Sequence, residues 1–326
     1  MEPNNFFETR TDLTALNDAV NTIRAEVAKV IVGQQTMVDL LVAAVLANSH
    51  VLIEGVPGVA KTLTARLLAK TLDVPFGRIQ FTPDLMPSDV VGTAVFNPSN
   101  ASFQFKQGPI FSNIVLIDEI NRAPAKTQSA LFEVMEERQV TADGKTYSMN
   151  QPFMVVATQN PIEQEGTYRL PEAQLDRFIF KIHVPYPTPE EEVQILLGHH
   201  QLKEGKKEDT INKVLTAATI AQLQQQIRSL HVEEKLITFI AKIVTETRSN
   251  KSIYLGASPR ASIGILNGAK AIAAMRGRDF VTPEDILYVT PAVLRHRIIL
   301  TPEREMEGLT PDDVIVQLLQ TIEVPR

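Results

Sequence analysis

The sequence predicts an α/β protein: an αβα core built on a five-stranded parallel sheet, followed by an all-helical domain. Three observations carry this. Five short runs rich in β-branched residues recur between residues 50 and 184, most of them separated by helical stretches. Parallel strands need crossover connections, which place a helix layer on each face and leave the strands apolar along their length. Several runs end in polar residues suited to ligand binding, as expected where a doubly covered sheet binds beyond the carboxyl ends of its strands. Past Pro185, Pro187 and Pro189 the strand pattern stops and only helical periodicity continues. The domain boundary is expected between residues 188 and 189. Residues 1–188 then form the core, with an N-terminal helical segment and hairpin inserts, and residues 189–326 the helical domain.

From Phe6 to Ala47 the apolar residues Leu13, Leu16, Val20, Ile23 and Val27 recur at threes and fours, the period of an amphipathic helix. The strands are expected at "HVLIEG" (50–55), "FGRIQFT" (76–82), "NIVLIDE" (113–119), "FMVVATQN" (153–160) and "RFIFKIHV" (177–184), with helices over 62–71 and 125–138. Two inserts interrupt the alternation. After a short helical piece, "TAVF" and "SFQFKQ" flank the turn-prone "NPSN" and read as a hairpin. A second hairpin, "QVTADGKTYSM", centres on Asp143-Gly144, a dipeptide suited to tight primed turns. Beyond the boundary, helices are expected over 190–203, 220–229, 233–248, 259–276, 283–296 and 312–322, and Thr282-Pro283-Glu284-Asp285 is a helix start signal.

Composition narrows the function. The 326 residues are 44% hydrophobic, enough for more than one core. A net charge of −6 leaves no chain-wide positive field for a nucleic-acid backbone, so nucleic acid is not an expected partner. With no cysteine, disulfides and thiolate metal sites are excluded, and a reducing, cytoplasmic location is expected. "MEPNNFFETRTDL" lacks the basic-then-apolar pattern of a signal segment. The longest apolar run, residues 40–47, is far shorter than the roughly twenty residues of a membrane span. His199-His200 and the run 203–209 are expected on solvated surface, and Phe103 and Phe105 in hairpin packing.

The chemistry lies in three strand ends. "GVPGVAKT" matches the phosphate-loop pattern G-x-x-x-x-G-K-[ST] except that Ala60 stands where the second glycine belongs. Such loops aim successive backbone N–H groups and a helix N-terminus at an anion. Alanine is tolerable there if it takes helical dihedrals, which is the expectation for Ala60. Lys61 would reach the β- and γ-phosphates and Thr62 would ligate Mg²⁺. A chance match in a strand-to-helix turn is the other reading, against which stand the strand before the loop and the helix after it. The third strand ends in Asp118-Glu119, carboxylates that are costly at a buried strand end unless they hold a cation or accept hydrogen bonds. Asp118 suits the water shell of Mg²⁺, and Glu119 suits activating a water. Asn160 either bonds the γ-phosphate and that water or closes an Asn-Pro turn. Lys/Thr, Asp/Glu and Asn together make a set that nucleotide hydrolysis requires.

With these residues in place the chain resembles the MoxR family of AAA+ ATPases, in the helix-2-insert group with magnesium chelatase motor subunits and minichromosome maintenance helicases. The resemblance rests on "VGQ" (32–34), "GVPGVAKT", "DEINRAPAKTQSALFEVMEERQVT", "ATQNPIEQEGTYRLPEAQLDRF" and "ASPRA", in order along nearly the whole chain. It implies the P-loop AAA+ fold with a helical lid, ATP and Mg²⁺ as cofactors, and a phosphate loop of Gly55, Val56, Pro57, Gly58, Val59, Ala60, Lys61, Thr62 and Leu63. Alanine before the lysine is common in that family's loop. The same resemblance places Val32 and Gly33 in the segment that usually contacts adenine, and Thr62 and Asp118 at the Mg²⁺. It makes Arg177 the arginine finger into a neighbouring subunit's site and Arg260 a sensor folding over the γ-phosphate of its own nucleotide. Arg169 stands where the family usually has proline, and it and Arg122 are further candidates for the intersubunit contact. The expected assembly is a homo-oligomer, a hexameric ring. Its expected role is chaperone-like remodelling of protein clients, with a von Willebrand A domain protein as partner. A nucleic-acid-dependent motor and a magnesium chelatase motor subunit are the alternatives within the same group.

Overall fold

The computed structural model describes residues 12–99, 101–142, 144–161, 168, 170–200 and 207–325. Arg169, Asp143, the first residues of the N-terminal helical expectation and the end of the helix expected at 190–203 lie outside them.

The chain opens with α1 (Thr14–Ala28) and α2 (Gln35–Leu46), then enters the sheet through β1 (His50–Gly55), followed by α3 (Lys61–Thr71) and β2 (Phe76–Gln80). The first insert is α4 (Pro87–Val91) with the antiparallel pair β3 (Gly92–Asn97) and β4 (Ser102–Gln107). Next come β5 (Ile114–Asp118), α5 (Ala125–Glu137) and the second hairpin, β6 (Gln139–Ala142) with β7 (Lys145–Ser148). β8 (Met154–Gln159), α6 (Glu172–Leu175) and β9 (Phe178–Val184) complete the core. The sheet order is β2-β5-β8-β1-β9, and every pairing in it is parallel. β1, β5 and β8 are therefore interior strands, and their carboxyl ends meet along one edge.

Side chains alternate between the two faces, as the pleat demands. On β5, Ile114 and Leu116 join the apolar cluster with α1, α2 and α3, whereas Val115 and Ile117 join the cluster with α5. The expected hairpin packing holds for Phe105, which stacks on Tyr147 of the second hairpin at 4.6 Å. Phe103 instead stands 71% exposed beside Phe96 at the tip of the first hairpin.

After β9 the chain forms α7 (Pro189–His200), α8 (Ala217–Arg228), α9 (Glu234–Ser249), α10 (Pro259–Met275), α11 (Pro283–Leu294), α12 (Pro302–Met306) and α13 (Pro311–Thr321). The helix start read at residue 282 is realised: the Thr282 N–H donates to the Asp285 carboxylate at 3.0 Å. Between these helices lies a small antiparallel pairing, β10 (Ile253–Leu255) with β11 (Ile299–Leu300), which periodicity cannot reveal in strands so short. The first apolar cluster runs without a break into this region, since α10 and α11 lie on β9 and α2. Gly268 makes that approach possible, because a Cβ there would meet the Phe180 ring at 3.0 Å.

His50 illustrates how the core is tied to pH. Its buried ring accepts from the Val155 N–H at 2.9 Å, so its Nε2–H donates to the Met135 carbonyl at 3.1 Å. Burial pushes the imidazole down to about 4. The unfolded chain binds that proton near pH 6.5 and the folded one does not, so stability is complete above pH 6.5 and declines towards pH 4. His50 alone should cost on the order of 3 kcal/mol over that window. Urea midpoints measured across it are expected to fall, and more gently in His50→Gln. Buried His296, also pushed down by burial, adds a loss of the same sign.

Candidate active site

The phosphate loop leaves β1 at Gly55 and enters α3 at Lys61. Gly58 has φ +89°, which glycine adopts without penalty. Ala60 departs from expectation: its dihedrals are φ 58°, ψ 21°, left-handed rather than helical. The turn into α3 needs that reversal, and an L-residue pays roughly 1–2 kcal/mol for it. Surrounding bonds impose it. The Gln34 side chain donates to the Val59 carbonyl at 2.7 Å, and the Ala60 carbonyl accepts from the Thr64 N–H at 2.9 Å and its hydroxyl at 3.0 Å. A β-branched residue at positive φ is a far worse fit. Ala60→Val is expected to weaken ATP binding by about tenfold or more, whereas Ala60→Gly retains it, as nucleotide titration can check.

Residues from Pro57 to Leu63 line a cavity of about 350 Å³, together with Arg78, Gln80, Asp118, Glu119, Thr158, Gln159 and Asn160. The three strand ends singled out in the sequence thus converge on one space. The Lys61 ammonium donates to the carbonyls of Gly55 and of Val56, the latter at 3.2 Å. The Thr62 hydroxyl donates to Asp118 at 3.0 Å, and the Thr158 hydroxyl to the same oxygen at 3.3 Å. The second Asp118 oxygen takes the Arg78 Nε–H at 2.7 Å. Glu119 also has left-handed backbone, φ 57°, ψ 54°. It breaks the pleat at the strand end, and such strain clusters where function needs a side chain aimed out of register. Its N–H donates to Thr158 Oγ1 at 3.1 Å, and its carboxylate accepts from Gln80 at 2.8 Å and lies 3.4 Å from Arg122. Asn160, at the end of β8, is 7% exposed and borders the same cavity.

Thr158 on β8 is a site residue that sequence reading missed, and so are Arg78 and Gln80. The signal was their alternate spacing on β2, the strand beside β5, which points both towards the acidic strand end.

The donor set fits Mg²⁺. A hydroxyl and a carboxylate 3.0 Å apart are hard oxygen ligands, and this ion takes one or two such groups while keeping waters and phosphate oxygens. Among the described residues no cluster of three or more His, Cys, Asp or Glu could hold a metal by itself, as this mode of binding requires none. The loop fits a phosphate chain through its left-handed turns and the N-terminus of α3.

Val32 and Gly33 do not line this cavity. Gln34 ties their segment to Val59, and Gly33, at φ +69°, abuts the Glu191 carboxylate of α7, where a Cβ would lie 2.2 Å from an oxygen.

Arg177 and Arg260 are not in this cavity. Arg177 donates to the Phe132 carbonyl at 2.7 Å and to Glu136 at 3.2 Å, while its buried Nε has no partner among the described residues. Arg260 donates to the other Glu136 oxygen at 3.1 Å. Both guanidinium groups meet at α5, in a separate cleft of about 190 Å³. Arg260, expected to fold over its own subunit's phosphates, lies here at Glu136 and outside the cavity of the phosphate loop. Its place was inferred from a motif, whereas the packing of α10 on β9 sets it. Arg297 fixes this corner: it is buried, bonds Asp176 at 2.6 Å, and donates to the Asp176 and Phe178 carbonyls at 3.0 and 2.7 Å. Arg122 lies against Glu119 of its own chain.

Comparison with known proteins agrees with this fold. A family model described as ATPase family associated with various cellular activities (AAA) matches residues 50–180, and one described as AAA lid domain matches residues 245–318. The chain is 44% identical over 310 residues to the chaperone MoxR1 of Mycobacterium tuberculosis, covering 92% of this chain and 81% of that protein. It is 45% identical over 298 residues to the uncharacterized protein YeaC of Bacillus subtilis, covering 91% and 92%. A crystal structure of a candidate ATPase from Cytophaga hutchinsonii, 41% identical, superposes with a TM-score of 0.88 over 96% of this chain and 97% of that one. No helix among the described residues is long and apolar enough to cross a membrane. Sequence, sheet order and site place the chain in the MoxR family of AAA ATPases.

Proposed function

We propose that this protein hydrolyses ATP with Mg²⁺ as a ring, hexameric as the resemblance implies, and uses the energy to remodel or mature protein complexes in the cytoplasm. The core would be residues 1–188 and the lid 189–326. The observation that carries the reading is the division of the machinery: Lys61, Thr62, Asp118, Glu119 and Asn160 share one cavity, while Arg177 and Arg260 share Glu136 at another. A site so divided is completed by a second copy, whose two guanidinium groups would neutralise charge on the transferring phosphoryl group.

In this mechanism the Lys61 ammonium leaves the loop carbonyls for the β- and γ-phosphates. Thr62 and, through water, Asp118 hold Mg²⁺, which supplies neutralisation of the phosphate charge when bound. Glu119 accepts the proton of the attacking water and Asn160 orients that water. Gln80 holds the Glu119 carboxylate in place from the neighbouring strand. Val32 and Gly33 would border the adenine. The remodelling role rests on likeness to a relative named as a chaperone and on the family resemblance, which also suggests a von Willebrand A domain partner.

Mixing inactive variants tests the shared site. Arg177→Ala and Lys61→Ala are each expected to lack activity, and mixed rings should regain part of it. Co-assembly proven by sedimentation without any recovery would refute completion in trans.

A further inference from the structure

At the opposite end of β1 from the phosphate loop lies a larger cleft, of about 810 Å³, sharing no residue with the nucleotide cavity. Its walls come from the α2–β1 turn, the end of α5, and helices α8 and α10, so it spans the sheet's base and the helical region. Among the described residues three cations border it, Arg138, Arg228 and Lys270, and none that lines it is acidic. In a chain of net charge −6 this is a segregated positive site. Among the described residues, none of the three cations makes an ion pair.

The cations are nevertheless held in place. Arg138, with φ 52°, donates to the Asn48 side chain at 2.7 Å and to Gln151 at 3.2 Å, and also to the Asn48 carbonyl. Lys270 donates to the Arg228 carbonyl at 2.7 Å, keeping two further N–H groups. Burial pushes both Arg138 and Lys270 down, and for Arg138 the nearby Arg228 charge adds to it. Like charges kept close without a counter-charge destabilise one another, and an anion entering the cleft relieves that repulsion. Gln225 and Asn267 add amide donors at the rim, and Leu46 and Ile227 an apolar wall. The volume falls within the range of small-ligand sites.

We infer that this cleft is a second anion site, taking the phosphate chain of a small polyphosphorylated molecule, and that its occupant bridges the sheet's base and the helical region. Guanidinium forks and an ammonium in one cleft suit phosphate oxygens, and together the three offset much of the charge of a di- or triphosphate. The position gives it leverage: Arg138 follows Glu136 by two residues, at the end of the helix where Glu136 holds Arg177 and Arg260. This inference does not rest on the proposed ATPase reaction.

The test is calorimetric titration of sodium tripolyphosphate into the Lys61→Ala protein, which lacks the ammonium of the nucleotide loop. One binding event per chain is expected. It should weaken about tenfold or more when Arg228→Gln and Lys270→Gln are added, each removing a charge-assisted contact. These substitutions remove repulsion, so a melting temperature equal to or above that of Lys61→Ala alone is expected and confirms the fold. ATP binding the same variant more tightly than tripolyphosphate identifies a nucleotide as the source, and equal affinity identifies the phosphate chain alone; both support the site. No binding, or binding indifferent to the two substitutions, overturns it. So does binding of polyglutamate with none of tripolyphosphate, which would assign the cleft to an acidic protein segment.

Discussion

Replacing Glu119 with glutamine is expected to leave ATP bound and lower turnover by about two to four orders of magnitude, the range a general base contributes. The change is isosteric. It removes the proton acceptor but keeps an oxygen for Gln80 to bond at the 2.8 Å now seen. It also leaves the Glu119 N–H on Thr158, so the strained backbone that aims the side chain stays put. Nucleotide affinity should therefore remain within a few fold of the parent. Single-turnover kinetics with bound ATP separate the two effects. Turnover at the parent rate would remove Glu119 from its assigned role, and loss of nucleotide binding would mean that its contribution is structural.

Lys61→Ala is expected to act at the earlier step and abolish measurable ATP binding. The ammonium now bonds two loop carbonyls, Gly55 and Val56, and is already at the floor of the cavity. Its transfer to phosphate oxygens exchanges those neutral acceptors for anionic ones, with bonds worth about 1.5–3 kcal/mol each. Two such bonds correspond to an affinity loss of roughly 10²- to 10⁴-fold. Equilibrium binding of a fluorescent ATP analogue measures this. Retained affinity would show that the N–H groups of the loop suffice and that Lys61 acts only in the reaction.

Much of this site was legible in the sequence because its parts are local. A buried parallel strand writes itself as an unbroken apolar run, and β1, β5 and β8 fall within a residue or two of their expected spans. Residues at the ends of such strands must converge, so Lys61, Asp118, Glu119 and Asn160 could be grouped before any coordinates. What stayed hidden depends on distance across the fold. The partner of Arg260 is Glu136, 124 positions away, and no local pattern records that pairing. Arg78 and Gln80 matter only because β2 lies beside β5, a neighbour relation the sheet order decides. The left-handed turn at Ala60 was missed for another reason: alanine signals helix, and the bonds from Gln34 and Thr64 overrule that preference.

The shared carboxylate of Glu136 has a consequence for how copies come together. Its two oxygens each hold one arginine, at 3.2 Å for Arg177 and 3.1 Å for Arg260, in a partly exposed setting. Ion pairs of this kind are worth little, about 0–1 kcal/mol each. Glu136 thus keeps both cations occupied at small cost, and on the proposed shared site a neighbour's phosphate would need only a modest advantage to claim them. In the proposed ring, assembly around nucleotide would be an exchange of one anion for another, and the same glutamate that holds the two arginines would also set how readily they are released.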